Sequence, residues 1–80
     1  MKFEKKDGTL QDFDRSKIAS GVTAAGASEQ AEQIATQVEE WAKEAAVDDT
    51  VTWSAVREKV LELLRASNPE AATNFEEYEK

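Results

Sequence analysis

The chain has 80 residues, with 17 Asp and Glu against 10 Lys and Arg for a net charge of −7, and it contains no cysteine and no histidine. So short a chain has apolar surface for one modest core, which makes residues 1–80 a single expected domain. The missing thiols and imidazoles exclude disulfides, Cys or His metal sites and any Ser/His or Cys/His nucleophile pair. The acidic balance argues against a nucleic-acid binder or a binder of anionic membranes, since both need a broad cationic face. No stretch approaches the roughly 18 apolar residues of a membrane span, and the N-terminus lacks the apolar run of a signal peptide. The expected compartment is the cytoplasm, and Met1 directly ahead of the first element reads as a natural start.

In chain order, residues 1–6 and 9–13 read as the strands of a hairpin around Asp7 and Gly8, a pair suited to the positive φ angles of a type I′ turn. Phe3 and Lys5 share one face, and Gln11 and Phe13 point opposite to Leu10 and Asp12 on the returning strand. Two strands alone are marginal, so this hairpin must pack on something. Asp14 is the expected N-cap of a first helix over 15–25, with Ile18, Val22 and Ala25 on its apolar stripe and Gly26 as its stop. Ser28 is the expected cap of a longer second helix carrying Ala31, Ile34, Ala35, Val38, Trp41 and Ala42 at the helical period.

Asp48, Asp49 and Thr50 read as a polar connection. Thr52 then caps a third helix whose inner stripe is Trp53, Val56, Val60, Leu61, Leu63 and Leu64. Asn68, Pro69 and Glu70 combine a cap, a first-position proline and a first-turn acid, and so start a fourth helix that buries Ala72, Phe75 and Tyr78. Trp41, Trp53 and Phe75 read first as core bulk, each burying roughly 150–250 Å² when enclosed, with adenine stacking as the alternative.

No catalytic triad, P-loop, dinucleotide-binding glycine pattern or metal-ligand set can be assembled, so the chain reads as a non-enzyme without a redox cofactor. Glu32, Glu39, Glu40 and Glu44 form an acidic helical surface, read as a solvated face. The charge distribution is uneven: residues 1–17 hold five cations against four carboxylates, a net +1, which leaves −8 for the rest. A local cationic island on an acidic body suits an anionic small molecule. The acidic excess with few lysines is also similar to the surfaces of proteins from salt-loving organisms, where a Debye length of about 3 Å leaves binding to direct contact.

Phe3, Glu4, Lys5, Lys6, Asp7 and Gly8, followed by Phe13, Asp14, Lys17 and Ile18, resemble the opening of the ATP-cone family. Its pattern is an apolar residue, a spacer, Lys-Arg-Asp-Gly, a Phe-Asp pair and a Lys-Ile start to the first helix. Val51, Thr52, Val56, Val60, Leu61 and Leu64, then Pro69, Ala72, Phe75 and Tyr78, are similar to the family's last two helices. The resemblance implies an α+β, mostly α fold: an N-terminal β-hairpin capping a four-helix bundle, with ATP or dATP, accompanied by Mg, held between them. It further implies a regulatory module that senses nucleotide and changes association with itself or a partner protein.

By the same likeness Lys5, Lys6 and Lys17 face the phosphates, while Gln11 and Asp14 lie near the base or ribose. Lys6 replaces the family's arginine. Trp53 stands where the family has a small hydroxylated residue and either stacks on adenine or fills the pocket. Glu79 stands where a terminal arginine is common, with Lys80 beside it. The alternative is a cone fold kept as a protein-interaction scaffold without nucleotide.

Overall fold

The alternating start of the chain forms β1 (Lys2–Glu4), paired antiparallel with β2 (Leu10–Asp12), in the computed structural model, which describes residues 1–78. Phe3 pairs with Gln11, and Lys2 with Asp12, where the Lys2 ammonium also meets the Asp12 carboxylate at 2.7 Å. The turn between them departs from the type I′ expectation. Gly8 has a positive φ of 86° but Asp7 does not; the Lys5 carbonyl accepts the Gly8 N–H at 2.9 Å, and the Lys5 N–H donates to the Thr9 carbonyl, also at 2.9 Å. This is a three-residue loop with glycine at the left-handed bulge position. The Asp7 carboxylate decides it, since it accepts the Thr9 N–H at 2.9 Å in an Asx-type bond that keeps Asp7 out of the left-handed region.

The paired positive φ angles occur instead at Asp48 (53°) and Asp49 (60°). Val47 and Thr50 flank them and exchange two backbone hydrogen bonds of 3.0 Å, the type I′ arrangement. The turn feeds β3 (Thr50–Thr52), which pairs parallel with β1. The expected two-stranded hairpin is therefore part of a three-stranded sheet in the order β2-β1-β3. Three consecutive β-branched residues, Thr50, Val51 and Thr52, favour the extended state, and buried Val51 ties the strand to the core.

Helices α1 (Arg15–Ala24), α2 (Ala31–Ala45), α3 (Trp53–Ser67) and α4 (Pro69–Tyr78) make the chain α+β and mostly helical. Three caps form as the sequence reading expects: Asp14 accepts from Ser16 N–H at 3.0 Å, Thr52 from Ala55 N–H at 3.2 Å, and Asn68 from Ala71 N–H at 3.2 Å. Ser28 is not a cap. Gly26, at φ 99°, ends α1 in a Schellman motif, with Ala27 N–H donating to the Val22 carbonyl at 3.1 Å and Gly26 N–H to the Thr23 carbonyl at 3.0 Å. That motif carries Ala27 into the core, and a turn over residues 28–30 intervenes before α2 begins behind Gln30.

The core unites Val22, Ile34, Val38, Val60, Leu61, Leu64 and Phe75, all buried. Each contributes about 1.5–3 kcal/mol relative to exposure. Helix α1 packs on α2 and α4, and α3 packs on the same two. Gly21 of α1 faces the Phe75 ring of α4, and Asn74 Nδ2 donates to the Ala25 carbonyl at 3.0 Å to hold the two helices together. Ala72 and Phe75 are buried as expected; the Tyr78 side chain, Glu79 and Lys80 lie outside the described residues.

An Asp in the left-handed region is held there at a cost that glycine does not bear. Asp49→Gly is expected to raise stability by about 0.5–1 kcal/mol and Tm by a few degrees, even after loss of the exposed contact between the Asp49 carboxylate and the N-terminal amine at 3.4 Å. A thermal melt by circular dichroism checks this; a fall in Tm contradicts the turn assignment.

Candidate ligand cleft between the sheet and two helix starts

Phe3 on β1 and Gln11 on β2 are register partners, so both side chains fall on one face of the sheet. That face roofs a cavity of ≈ 190 Å³, whose remaining lining comes from the start of α1 (Phe13, Asp14, Lys17, Ile18) and the first turn of α3 (Trp53, Val56, Arg57). Two helix N-termini thus open onto one cleft. Each brings backbone N–H groups and the positive end of a macrodipole, equivalent to roughly half a unit charge. Neither α1 nor α3 carries an acid in its first turn, whereas α2 has Glu32 and α4 has Glu70 there. Acids at a helix start are its usual local neutraliser; α3, capped by the Thr52 hydroxyl, has none, while α1 has the carboxylate of its cap Asp14.

Of the residues the sequence reading selects, Gln11, Asp14, Lys17 and Trp53 line this cavity. Lys6 sits at its rim, in the hairpin loop, with Nζ 4.7 Å from the centroid of the Trp53 ring. Lys5 is exposed on the loop and outside the cavity lining. Trp53 is half-buried, so it neither leaves the cavity open nor serves as a fully enclosed core residue.

Arg57 is the lining residue that the sequence reading did not select. Its Cζ lies 5.8 Å from the same indole, and its Nη1 meets Glu58 Oε1 at 3.3 Å. A readable signal existed, because an aromatic and an arginine four residues apart on a helix are neighbours on one face. Each exposed cation–π contact is worth about 0.5–1 kcal/mol.

Ion pairing divides the described cations, with Arg57 paired in the cleft and Lys43 on α2 unpaired outside it. Lys2, Arg15, Lys59 and Arg65 each hold a carboxylate within 3.4 Å. Among the described residues, Lys5, Lys6 and Lys17 make no such pair. Asp14 makes no ion pair with Lys17, and its Oδ1 accepts from Ser16 Oγ at 2.6 Å and from Ser16 N–H at 3.0 Å, although the Lys17 charge helps to lower its carboxyl. On α2, Glu32 turns to Arg15 at 3.1 Å, and among the described residues no three acidic, His or Cys side chains gather to hold a metal. No described helix is long and apolar enough to cross a membrane.

A mostly helical α+β domain with a small sheet over an aromatic, cation-lined cleft has the layout of a ligand-binding module. The family model described as the ATP cone domain matches residues 1–80, and the chain belongs to that family. ATP-cone domains are regulatory nucleotide-binding modules that take ATP or dATP as their ligand. No curated protein matches the chain.

Three carboxylates around the sheet and the start of α1 are held below the ordinary value of 3.8: Asp14 by the Ser16 hydroxyl and N–H, Asp7 by the Thr9 N–H, and Asp12 by Lys2. A depressed folded-state value adds stability above the unfolded value and loses it as pH falls through the depressed one. Tm is therefore expected to decline as pH drops below 3.8. Asp14→Asn, which still caps, should weaken that decline. Melts at stepped pH check this, and an Asn variant with an unchanged acid slope contradicts the role given to the Asp14 charge.

Proposed function

We propose that the cleft binds ATP or dATP as the magnesium complex, and that occupancy changes how the domain associates with another copy or with a partner protein. What carries this reading is the convergence of the starts of α1 and α3 on one cavity that Lys17 and Arg57 also line, within a chain of net charge −7. Such a site offers directed N–H groups and unpaired ammonium groups to an anion that the mean field of the protein would repel.

Size divides the ligand. A cavity of ≈ 190 Å³ is smaller than the roughly 300–1,000 Å³ typical of pockets that enclose a whole drug-sized ligand, so it takes the base. Trp53 supplies the stacking surface, with Phe3 and Phe13 as apolar walls, and Gln11 and Asp14 supply polar edges near base or ribose. The phosphates extend toward Lys17 and the loop lysines Lys5 and Lys6, where ammonium groups make charge-assisted hydrogen bonds. Magnesium travels on the phosphates, since a carboxylate cluster is missing among the described residues. Under this reading residues 1–80 are one regulatory domain without catalysis, acting in the cytoplasm, with the four helices as a bundle and the sheet as its cap. A salt-rich cell suits its acidic surface.

A second reading, a scaffold that no longer binds nucleotide, draws on the Lys6 ammonium already lying on the Trp53 ring. Thermal shift separates the two. Ligand at a hundred times Kd stabilises by about 2.7 kcal/mol, on the order of 10 °C for a domain of this size. ATP or dATP is expected to produce such a shift and GTP a smaller one, and Lys17→Ala should weaken ATP binding about tenfold through loss of one charged hydrogen bond. No shift at millimolar ATP with magnesium, at low and at high salt, would leave the scaffold reading standing.

A further inference from the structure

Trp53 has two claimants. Its indole lines the cavity where a base would stack, and the same ring already carries the Lys6 ammonium 4.7 Å from its centroid. The ring is half-buried and Lys6 is exposed, and Lys6 is not among the residues that line the cavity, so the lysine stands on the indole at the rim, where a base too large for the cavity would emerge. Displacing an ammonium from such an exposed contact costs about two- to fivefold in an equilibrium, and a new partner for the ammonium recovers that cost.

The two cations on the ring differ in freedom. Arg57 is rooted in the first turns of α3 and paired with Glu58 at 3.3 Å. Lys6 projects from a three-residue loop and makes no carboxylate pair among the described residues. The neighbouring loop contacts, Asp7 to Thr9 N–H and Lys5 to Gly8 and Thr9, are made without the Lys6 side chain. Lys6 can therefore leave the indole without unmaking the turn.

Building on the nucleotide reading above, we propose that Lys6 sets the ligand's phosphate requirement. It rests on the Trp53 ring at the rim of the cavity in the free domain and yields that place to a base when the ligand also brings phosphates to receive the displaced ammonium. The base and Lys6 then exchange positions: the indole trades a cation for a ring, and the cation trades the indole for phosphate oxygens. A nucleoside must displace Lys6 with no compensation, whereas a nucleoside triphosphate recovers the loss in a charge-assisted contact. The discrimination comes from a contact made in the empty site, so it favours phosphorylated ligands beyond the direct attraction of their charge.

Two sets of titrations test the exchange, followed by Trp53 fluorescence in a Trp41→Phe background. Adenosine and ATP with magnesium are each titrated into that protein and into its Lys6→Ala derivative. Lys6→Ala is expected to tighten adenosine about two- to fivefold, by uncovering the indole, and to loosen ATP about threefold or more, by removing a phosphate partner. Opposite signs are the signature. If Lys6→Ala leaves adenosine unchanged or weakens it, the cover does not exist, although ATP binding by the parent protein still upholds the nucleotide site. If the parent protein binds no ATP, the nucleotide reading falls and the exchange falls with it. A mutation-free check uses the Lys6 side-chain methylene protons. Ring current should shift them upfield in the empty domain, and saturation with ATP should return them toward ordinary values; a shift that persists at saturation overturns the exchange.

Discussion

The parallel pairing of β1 with β3 is the constraint on which the cleft depends. Glu4 pairs with Thr52, and Thr52 is at once the last residue of β3 and the cap of α3, through its hydroxyl to Ala55 N–H at 3.2 Å. No linker separates strand from helix, so the register that places Val51 beside Phe3 also places Trp53 and Arg57 beside the sheet. β1 is the central strand and holds β2 on its other edge, which brings Gln11 and the Lys6 loop to the same side. The start of α1 follows β2 through Phe13 and the Asp14 cap. One short strand therefore sets the positions of three groups far apart in the sequence.

Charge works with this geometry rather than against it. A body of net charge −7 repels anions at long range, and only aimed groups at short range can reverse that. The starts of α1 and α3 are aimed in this way; α3 carries no acid there, while the Asp14 cap offsets part of the positive end of α1. Most described basic side chains outside the cleft are matched to carboxylates in exposed pairs, each worth little by itself. Their pairing nonetheless leaves Lys5, Lys6 and Lys17, among the described residues, as the lysines of the N-terminal segment without such partners.

Features governed by neighbours in sequence were legible before any coordinates. Asp14, Thr52 and Asn68 cap their helices because a cap needs only a side-chain oxygen and an N–H two or three residues on. The apolar stripes of α2 and α3 followed from period alone. Features that depend on competition between local bonds or on distant partners were not legible. Asp7 and Gly8 suit a type I′ turn, but the bond from Asp7 to Thr9 N–H favours a bulged loop, and the type I′ turn forms at Asp48 and Asp49, where no glycine announces it. β3 was invisible because its partner strand lies more than forty residues away in the chain, and three residues carry too weak a propensity to stand without it. Ser28 had the composition of a cap, yet the Schellman motif at Gly26 used the preceding residues to enter the core. At the site, family resemblance pointed to Gln11, Asp14, Lys17 and Trp53, which the fold brings together, while Arg57 was readable only as a helical neighbour of Trp53, and the docking of α3 on the sheet is what places it in the cleft.

The cleft beneath the sheet, as the place where nucleotide is received, is most directly tested by mapping backbone amide shifts in ¹⁵N-labelled protein during titration with ATP and magnesium. The account predicts the largest changes at Phe3, Gln11, Asp14, Lys17, Trp53 and Arg57, with the Lys6 loop moving alongside and the outer face of α2 nearly still. Shifts concentrated on α2 or α4, with the cleft residues unmoved at saturation, would contradict it.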